Sequence, residues 1–123
     1  MGTHAPCRIL VVEDDCDVLD AIAETLREDG HEVTTAENGA QALAALGSDP
    51  LPHVILLDLM MPVMNGTEFL RAQRQDPRLA SIPVVILSGD GAMPSKAQAL
   101  GIDDFLTKPI RGSALLQRVA RYC

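Results

Sequence analysis

Short, wholly aliphatic runs alternate with amphipathic segments along the chain. The runs at 9–12, 54–57 and 84–87 contain only Ile, Leu and Val. Runs of this length without alternating polar residues are typical of strands buried on both faces of a parallel sheet. Together with two weaker runs they predict five strands, at 8–12, 31–36, 54–57, 83–87 and 104–106.

The segments between the strands carry apolar residues at helical spacing. After the first strand, Leu19, Ile22 and Leu26 recur on one side, and Gly30 follows as a stop signal. Thr67 is the predicted N-cap of the third helix. Strict alternation of strands and helices predicts an α/β fold with a doubly wound parallel sheet, because parallel neighbours need crossover helices on both faces. The five helices are predicted at 16–29, 40–46, 67–75, 94–100 and 110–122.

Polar side chains follow four of the predicted strands. Glu13 and Asp14 follow the first strand, Asp58 the third, Ser88 the fourth and Lys108 the fifth. In an open parallel sheet, ligands bind beyond the carboxyl ends of the strands. One acid after a strand is as often a helix cap as a functional group, so the hypothesis of a site depends on the convergence of all five residues.

The chemistry of these groups indicates a phosphoryl-transfer site. Converging carboxylates repel one another, and a raised pKa or a bound cation relieves the repulsion. Oxygen ligands without a nearby His or Cys suit Mg²⁺. A carboxylate can accept a phosphoryl group covalently, while Mg²⁺, Lys108 and Ser88 would stabilise its oxygens.

Composition and charge exclude some classes of function and some classes of partner. The chain has 123 residues, of which 47% are hydrophobic and 22% charged, which is ordinary for one globular domain and excludes a two-domain enzyme. The net charge of -7 would repel nucleic acid and anionic membranes, so we expect neither as a direct partner.

The cysteines and the first residues of the chain indicate the cellular compartment. Cys7, Cys16 and Cys123 are odd in number and lack the spacing of a zinc or redox motif, so free thiols in a reducing cytoplasm are predicted. The first residues lack the features of a signal peptide. We therefore expect a soluble, cytoplasmic protein.

Four short stretches together resemble the signatures of bacterial response-regulator receiver domains. They are ILVVEDD at 9–15, LDLMMPVMNG at 57–66, VILSG at 85–89 and Lys108-Pro109. The resemblance covers residues 8–122 as a receiver domain and leaves 1–7 as an N-terminal tail. It implies the flavodoxin-like strand order 2-1-3-4-5.

The resemblance implies a role for each acid after the first and third strands. Asp58 matches the phosphoacceptor. Glu13 and Asp14 match the acid pair that holds Mg²⁺, and Met60 would contribute only its backbone carbonyl to the metal. Asp15 lies outside this pair and is predicted to cap the first helix.

The resemblance also assigns the residues that respond to phosphorylation. Lys108 would pair with the phosphoryl group, and Ser88 would turn inward to hydrogen-bond it. Phe105 occupies the position of the aromatic switch residue and, lacking a hydroxyl, would act by apolar burial. The Lys108-Pro109 peptide is expected to be cis.

The implied function is a signalling switch rather than turnover of an external substrate. The domain would take its phosphoryl group from a sensor histidine kinase or a histidine phosphotransfer protein and would catalyse only its own phosphorylation and dephosphorylation. A downstream protein would bind the face made by the fourth helix, fifth strand and fifth helix, with the domain either a monomer or a phosphorylation-dependent dimer.

Other function classes match the sequence less well. A flavodoxin needs a hydroxyl-rich phosphate loop where this chain has acids, and neither nucleotide-binding glycine motif is present. A phosphohydrolase of the haloacid dehalogenase type places a second Asp where this chain has Met60. The remaining alternative is an interaction module with the receiver fold that does not use phosphorylation.

Overall fold

A computed structural model describes residues 6–59, 64–89, 95–99, 101–102 and 104–123 of the chain. Within these ranges five strands and five helices alternate as predicted, and their boundaries fall within two residues of the predicted ones. Numbered in chain order, they are β1 Arg8–Val12, α1 Cys16–Glu28, β2 Glu32–Ala36, α2 Gly39–Ala45, β3 Val54–Asp58, α3 Gly66–Gln75, β4 Val84–Ser88, α4 Ser95–Ala99, β5 Phe105–Thr107 and α5 Gly112–Ala120.

The strands form a single sheet in the order β2-β1-β3-β4-β5, and every neighbouring pair is parallel. The predicted doubly wound fold and its strand order are confirmed. The register aligns Val12 with Leu57, Asp58 with Leu87, and Ser88 with Thr107. The carboxyl ends of β1, β3, β4 and β5 therefore meet at one edge of the sheet.

Side chains of the central strands belong to two apolar clusters, one on each face of the sheet. In β3, Ile55 and Leu57 pack with residues of α2 and α3, whereas Val54 and Leu56 pack with residues of α1 and α5. Successive strand residues point to opposite faces, so a strand covered on both sides must be aliphatic throughout. No helix in the described ranges is long and apolar enough to cross a membrane.

Two helix caps position the loops beside the sheet edge. Asp15 caps α1 as predicted, since its side chain accepts hydrogen bonds from the backbone N–H groups of Asp17 and Val18. The prediction of Thr67 as the cap of α3 is wrong. Asn65 caps this helix in a capping box, in which its side chain accepts from Glu68 N while the Glu68 carboxylate accepts from Asn65 N.

The prediction of three free thiols is also wrong, because Cys7 and Cys123 form a disulfide. The start of β1 and the end of α5 lie side by side, which brings the two Cα atoms to 5.3 Å, within the range that a disulfide requires. Cys7, the last residue of the predicted tail, is only 1% exposed. Cys16 is free and exposed.

Candidate functional site

The predicted site residues converge at the carboxyl edge of the sheet. Asp58 ends β3 and Ser88 ends β4, and each is 5% exposed. Glu13 directly follows β1 and is 1% exposed. Carboxylate oxygens of Glu13, Asp14 and Asp58 lie within 4.8 Å of one another. The structure therefore brings together the three acids that were assigned to one site.

Lys108 is the cation that faces these acids. Its Nζ lies 2.5 Å from Glu13 Oε1 as an ion pair and donates a hydrogen bond to Asp58 Oδ2 at 3.3 Å. Its backbone N–H donates to Ser88 O at 2.6 Å, which ties the loop after β5 to the end of β4. The Lys108-Pro109 peptide is cis, as predicted.

Electrostatics at this edge favour a proton on one of the acids. Burial, opposed by Lys108 and reinforced by Asp58, raises the pKa of Glu13 from 4.5 to about 7. Asp15 N also donates a hydrogen bond to Glu13 Oε2 at 3.1 Å. The ammonium of Lys108 therefore only partly offsets the cost of burying the Glu13 carboxylate next to Asp58.

Burial alone would lower the pKa of Lys108. Its contacts with Glu13 and Asp58 outweigh burial, so the pKa of the Lys108 ammonium is raised above its ordinary value. Lys108 thus stays charged across the physiological range. The site offers a fixed cation next to the carboxylate at the end of β3.

Phe105 begins β5 and packs half-buried against the apolar cluster that includes Ile86 and Ile102. Arg118 of α5 donates a hydrogen bond to Phe105 O at 2.9 Å and forms an ion pair with Asp104. The Tyr122 hydroxyl donates to the same Asp104 carboxylate. This network could not be predicted from sequence, since Asp104 and Arg118 lie 14 residues apart and no local pattern links them.

Gly66 lies beside the site, and its role was not predicted from the sequence. A Cβ atom at this position would lie 2.6 Å from Leu59 Cα and 2.8 Å from Asp58 O. The first turn of α3 therefore packs directly on the backbone that carries Asp58. The predicted metal contact of the Met60 carbonyl lies outside the described residues.

We expect Gly66→Ala to destabilise the fold by about 2 kcal/mol, because the added methyl group must displace backbone atoms as well as the Leu59 side chain. Gly112→Ala is the matched control at the start of α5, where a Cβ would meet Thr25 Cγ2 at an ordinary 3.6 Å. Alanine favours helix by up to about 1 kcal/mol over glycine, so this control should not lose stability. Urea unfolding measures both, and a Gly66→Ala protein as stable as the control would contradict the prediction.

Comparison with known proteins agrees with this geometry. Residues 9–120 match the family described as "Response regulator receiver domain". The two-component response regulator ORR11 of Oryza sativa subsp. indica is 36% identical over 123 residues, which cover 98% of this chain and 84% of the relative. The chemotaxis response regulator CheY4 of Vibrio cholerae superposes with a TM-score of 0.88 at 30% identity, covering 97% of this chain and 100% of that one.

A further solved structure bears on metal binding. The receiver domain of the sensor histidine kinase PA1611 from Pseudomonas aeruginosa matches with a TM-score of 0.85 at 27% identity, covering 96% of this chain and 98% of that one. Its description records a magnesium ion coordinated in the active site cleft.

Proposed function

Because this chain belongs to the response regulator receiver domains of two-component signalling, we propose that Asp58 accepts a phosphoryl group from the phosphohistidine of a sensor histidine kinase or a histidine phosphotransfer protein. The observation that carries the proposal is the convergence of three carboxylates and the Lys108 ammonium at one sheet edge. Receiver domains interact with such kinases and phosphotransfer proteins.

Asp58 is the nucleophile in the proposed transfer. A carboxylate oxygen of Asp58 attacks the phosphorus, the P–N bond to the donor imidazole breaks, and its electron pair stays on that nitrogen. Lys108 Nζ, 3.3 Å from Asp58 Oδ2, compensates the charge that the phosphoryl group brings. Hydrolysis by water later restores Asp58, so the domain catalyses only its own phosphorylation and dephosphorylation.

The donor set fits Mg²⁺, which receiver domains typically bind. Glu13, Asp14 and Asp58 offer only oxygen ligands, and burial, with the nearby Asp58 carboxylate adding to it, raises the pKa of Glu13. We propose that these three residues hold the ion. When bound, Mg²⁺ would neutralise charge on the phosphoryl oxygens.

We expect Mg²⁺ affinity to fall about tenfold between pH 8 and pH 6, because a proton on Glu13, whose pKa is about 7, competes with the metal. Isothermal titration calorimetry at both pH values measures the change. Glu13→Gln is the control, since its weaker affinity should vary little over this range. Equal affinity of the unmodified protein at both pH values would contradict the role of Glu13.

The proposed output is a shift at the face formed by α4, β5 and α5. Ser88, one strand from Asp58, would turn toward the phosphoryl group, and the half-buried Phe105 would move further into the space beside β4. Burying part of a Phe ring contributes less than about 3 kcal/mol, so phosphorylation shifts a population rather than flipping the domain completely. A downstream protein would bind this face. The domain would act in the cytoplasm.

The experiment is phosphorylation with a phosphohistidine-bearing phosphotransfer protein and Mg²⁺, followed by intact mass. We expect one base-labile phosphoryl group per chain, and no uptake when Mg²⁺ is chelated before the donor is added. A folded protein that takes up no phosphoryl group from this donor or from a small phosphodonor would refute the proposal. That result would favour the interaction module that does not use phosphorylation.

A further inference from the structure

The disulfide joins two cysteines in very different environments. Cys7 precedes β1 by one residue and is buried, whereas Cys123, three residues beyond α5, is exposed. The exposed residue of a disulfide is the side from which an external thiolate can approach, and exposed disulfides are the labile ones. Attack is therefore expected at Cys123, with Cys7 as the leaving thiolate.

A buried imidazole lies beside this disulfide. His31 Nδ1 accepts a hydrogen bond from Cys7 N at 3.0 Å, and His31 Nε2 lies 3.3 Å from Asp29 Oδ2. One nitrogen of His31 and the two cysteine sulfurs lie within 4.8 Å of one another. A thiolate left on Cys7 would thus form next to a polar imidazole rather than in a purely apolar core.

A chain of contacts leads from the disulfide to the proposed output residue. Tyr122 directly precedes Cys123, and its hydroxyl donates to the Asp104 carboxylate. Asp104 pairs with Arg118, which also donates to Phe105 O. The position of the last turn of α5 is therefore connected to the backbone of β5.

We propose that Cys7–Cys123 is a reversible dithiol–disulfide site whose oxidation state controls how the end of α5 is held against Asp104 and Phe105. The proposed effect of the disulfide on Phe105 rests on the proposed function, in which Phe105 changes position on phosphorylation. In the cytoplasm proposed for this domain, disulfides are usually transient and redox-sensing. The exposure of Cys123 and the proposed compartment both favour a bond that is made and broken.

The reduction step needs a reducing dithiol protein or two small thiols. An external thiolate attacks Cys123 Sγ, the bond to Cys7 Sγ breaks, and Cys7 leaves with the electron pair and takes up a proton. A second external thiolate then displaces Cys123 from the mixed disulfide. The products are two protein thiols and one external disulfide, and oxidation reverses the sequence.

Cys16 does not compete in this exchange. The Glu37 carboxylate foremost, with Asp20 and Asp15, raises the pKa of the exposed Cys16 thiol. Less thiolate is therefore available at Cys16 for attack on the disulfide. In the Cys16→Ser protein, the only thiols that alkylation can detect are those of Cys7 and Cys123.

The first test equilibrates native Cys16→Ser protein in glutathione buffers of stepwise increasing reducing strength, followed by alkylation and mass analysis. We expect a reversible two-thiol transition within the range of cytoplasmic glutathione ratios. A bond that resists reduction until denaturant is added would overturn the proposal and make the disulfide a permanent structural link. Zinc tightly retained by the reduced protein through Cys7, Cys123 and His31 would overturn it in favour of a metal site.

The second test follows backbone amide shifts by NMR on reduction, without Mg²⁺ or phosphodonor. We expect shifts at Asp104, Phe105 and Tyr122, and the same pattern in Cys123→Ser. Tyr122→Phe keeps the disulfide but lacks the hydroxyl contact, so reduction should move Asp104 and Phe105 much less. Shifts confined to Cys7, His31 and Cys123 would overturn the coupling.

These readouts separate this proposal from the proposed function. If Asp58 is never phosphorylated while the thiol transition and the shifts at Phe105 occur, the phosphoacceptor function fails and the redox site stands. If phosphorylation proceeds equally in oxidised and reduced protein and no shift reaches Asp104, the redox coupling fails and the phosphoacceptor function stands.

Discussion

Asp58→Asn is expected to lower phosphoryl uptake at least about a hundredfold, from a phosphohistidine donor and from a small phosphodonor alike. The amide has nearly the shape of the carboxylate but lacks the anionic oxygen that attacks phosphorus. Asp58 is buried at the end of β3, and the other two acids of the site belong to the loop after β1. We therefore expect no other carboxylate to take over as acceptor.

The fold should survive this substitution. Burial and, after it, Asp58 raise the pKa of Glu13, so neutralising Asp58 relieves repulsion and should leave thermal stability unchanged or higher. Asp20→Asn, the same chemical change at an exposed position of α1, should be phosphorylated like the unmodified protein. Equal labelling of Asp58→Asn and Asp20→Asn would show that the acceptor lies elsewhere.

The fold and the site acids could be predicted from sequence because each signal is local. The aliphatic run of β3 ends at Asp58 and that of β4 at Ser88, so the strand pattern itself fixes which side chains reach the carboxyl edge. Parallel topology then brings these ends together without further information. The cis peptide before Pro109 followed from the family resemblance rather than from any such pattern.

The features that were missed depend on contacts made by the whole fold. Cys7 and Cys123 are 116 residues apart in sequence, and only the packing of α5 beside the start of β1 makes them neighbours. The close approach of Gly66 to the Asp58 backbone is likewise a matter of how α3 packs. The cap of α3 was missed by two residues, because Asn65 and Thr67 are both good capping types.

Lys108→Met should destabilise the metal-free protein by about 3 kcal/mol at pH 8, because it breaks a buried ion pair. This value is at the low end for such pairs, since the Lys108 side chain is 26% exposed. Methionine keeps the length of the side chain but leaves the carboxylates of Glu13 and Asp58 without their cation. Glu13 is 1% exposed, so water cannot replace the lost contact well.

The loss should shrink to about 1 kcal/mol at pH 5, where Glu13 is protonated in the folded protein and only the Asp58 contact is removed. The sign follows from the raised pKa: the contribution of Glu13 to stability is complete below pH 4.5 and is lost as pH rises through about 7. Urea unfolding at both pH values, with Arg71→Met as an exposed-cation control, measures the difference. A loss that is equal at pH 5 and pH 8 would mean that Lys108 stabilises the domain through its aliphatic stem and not by compensating the charge of Glu13.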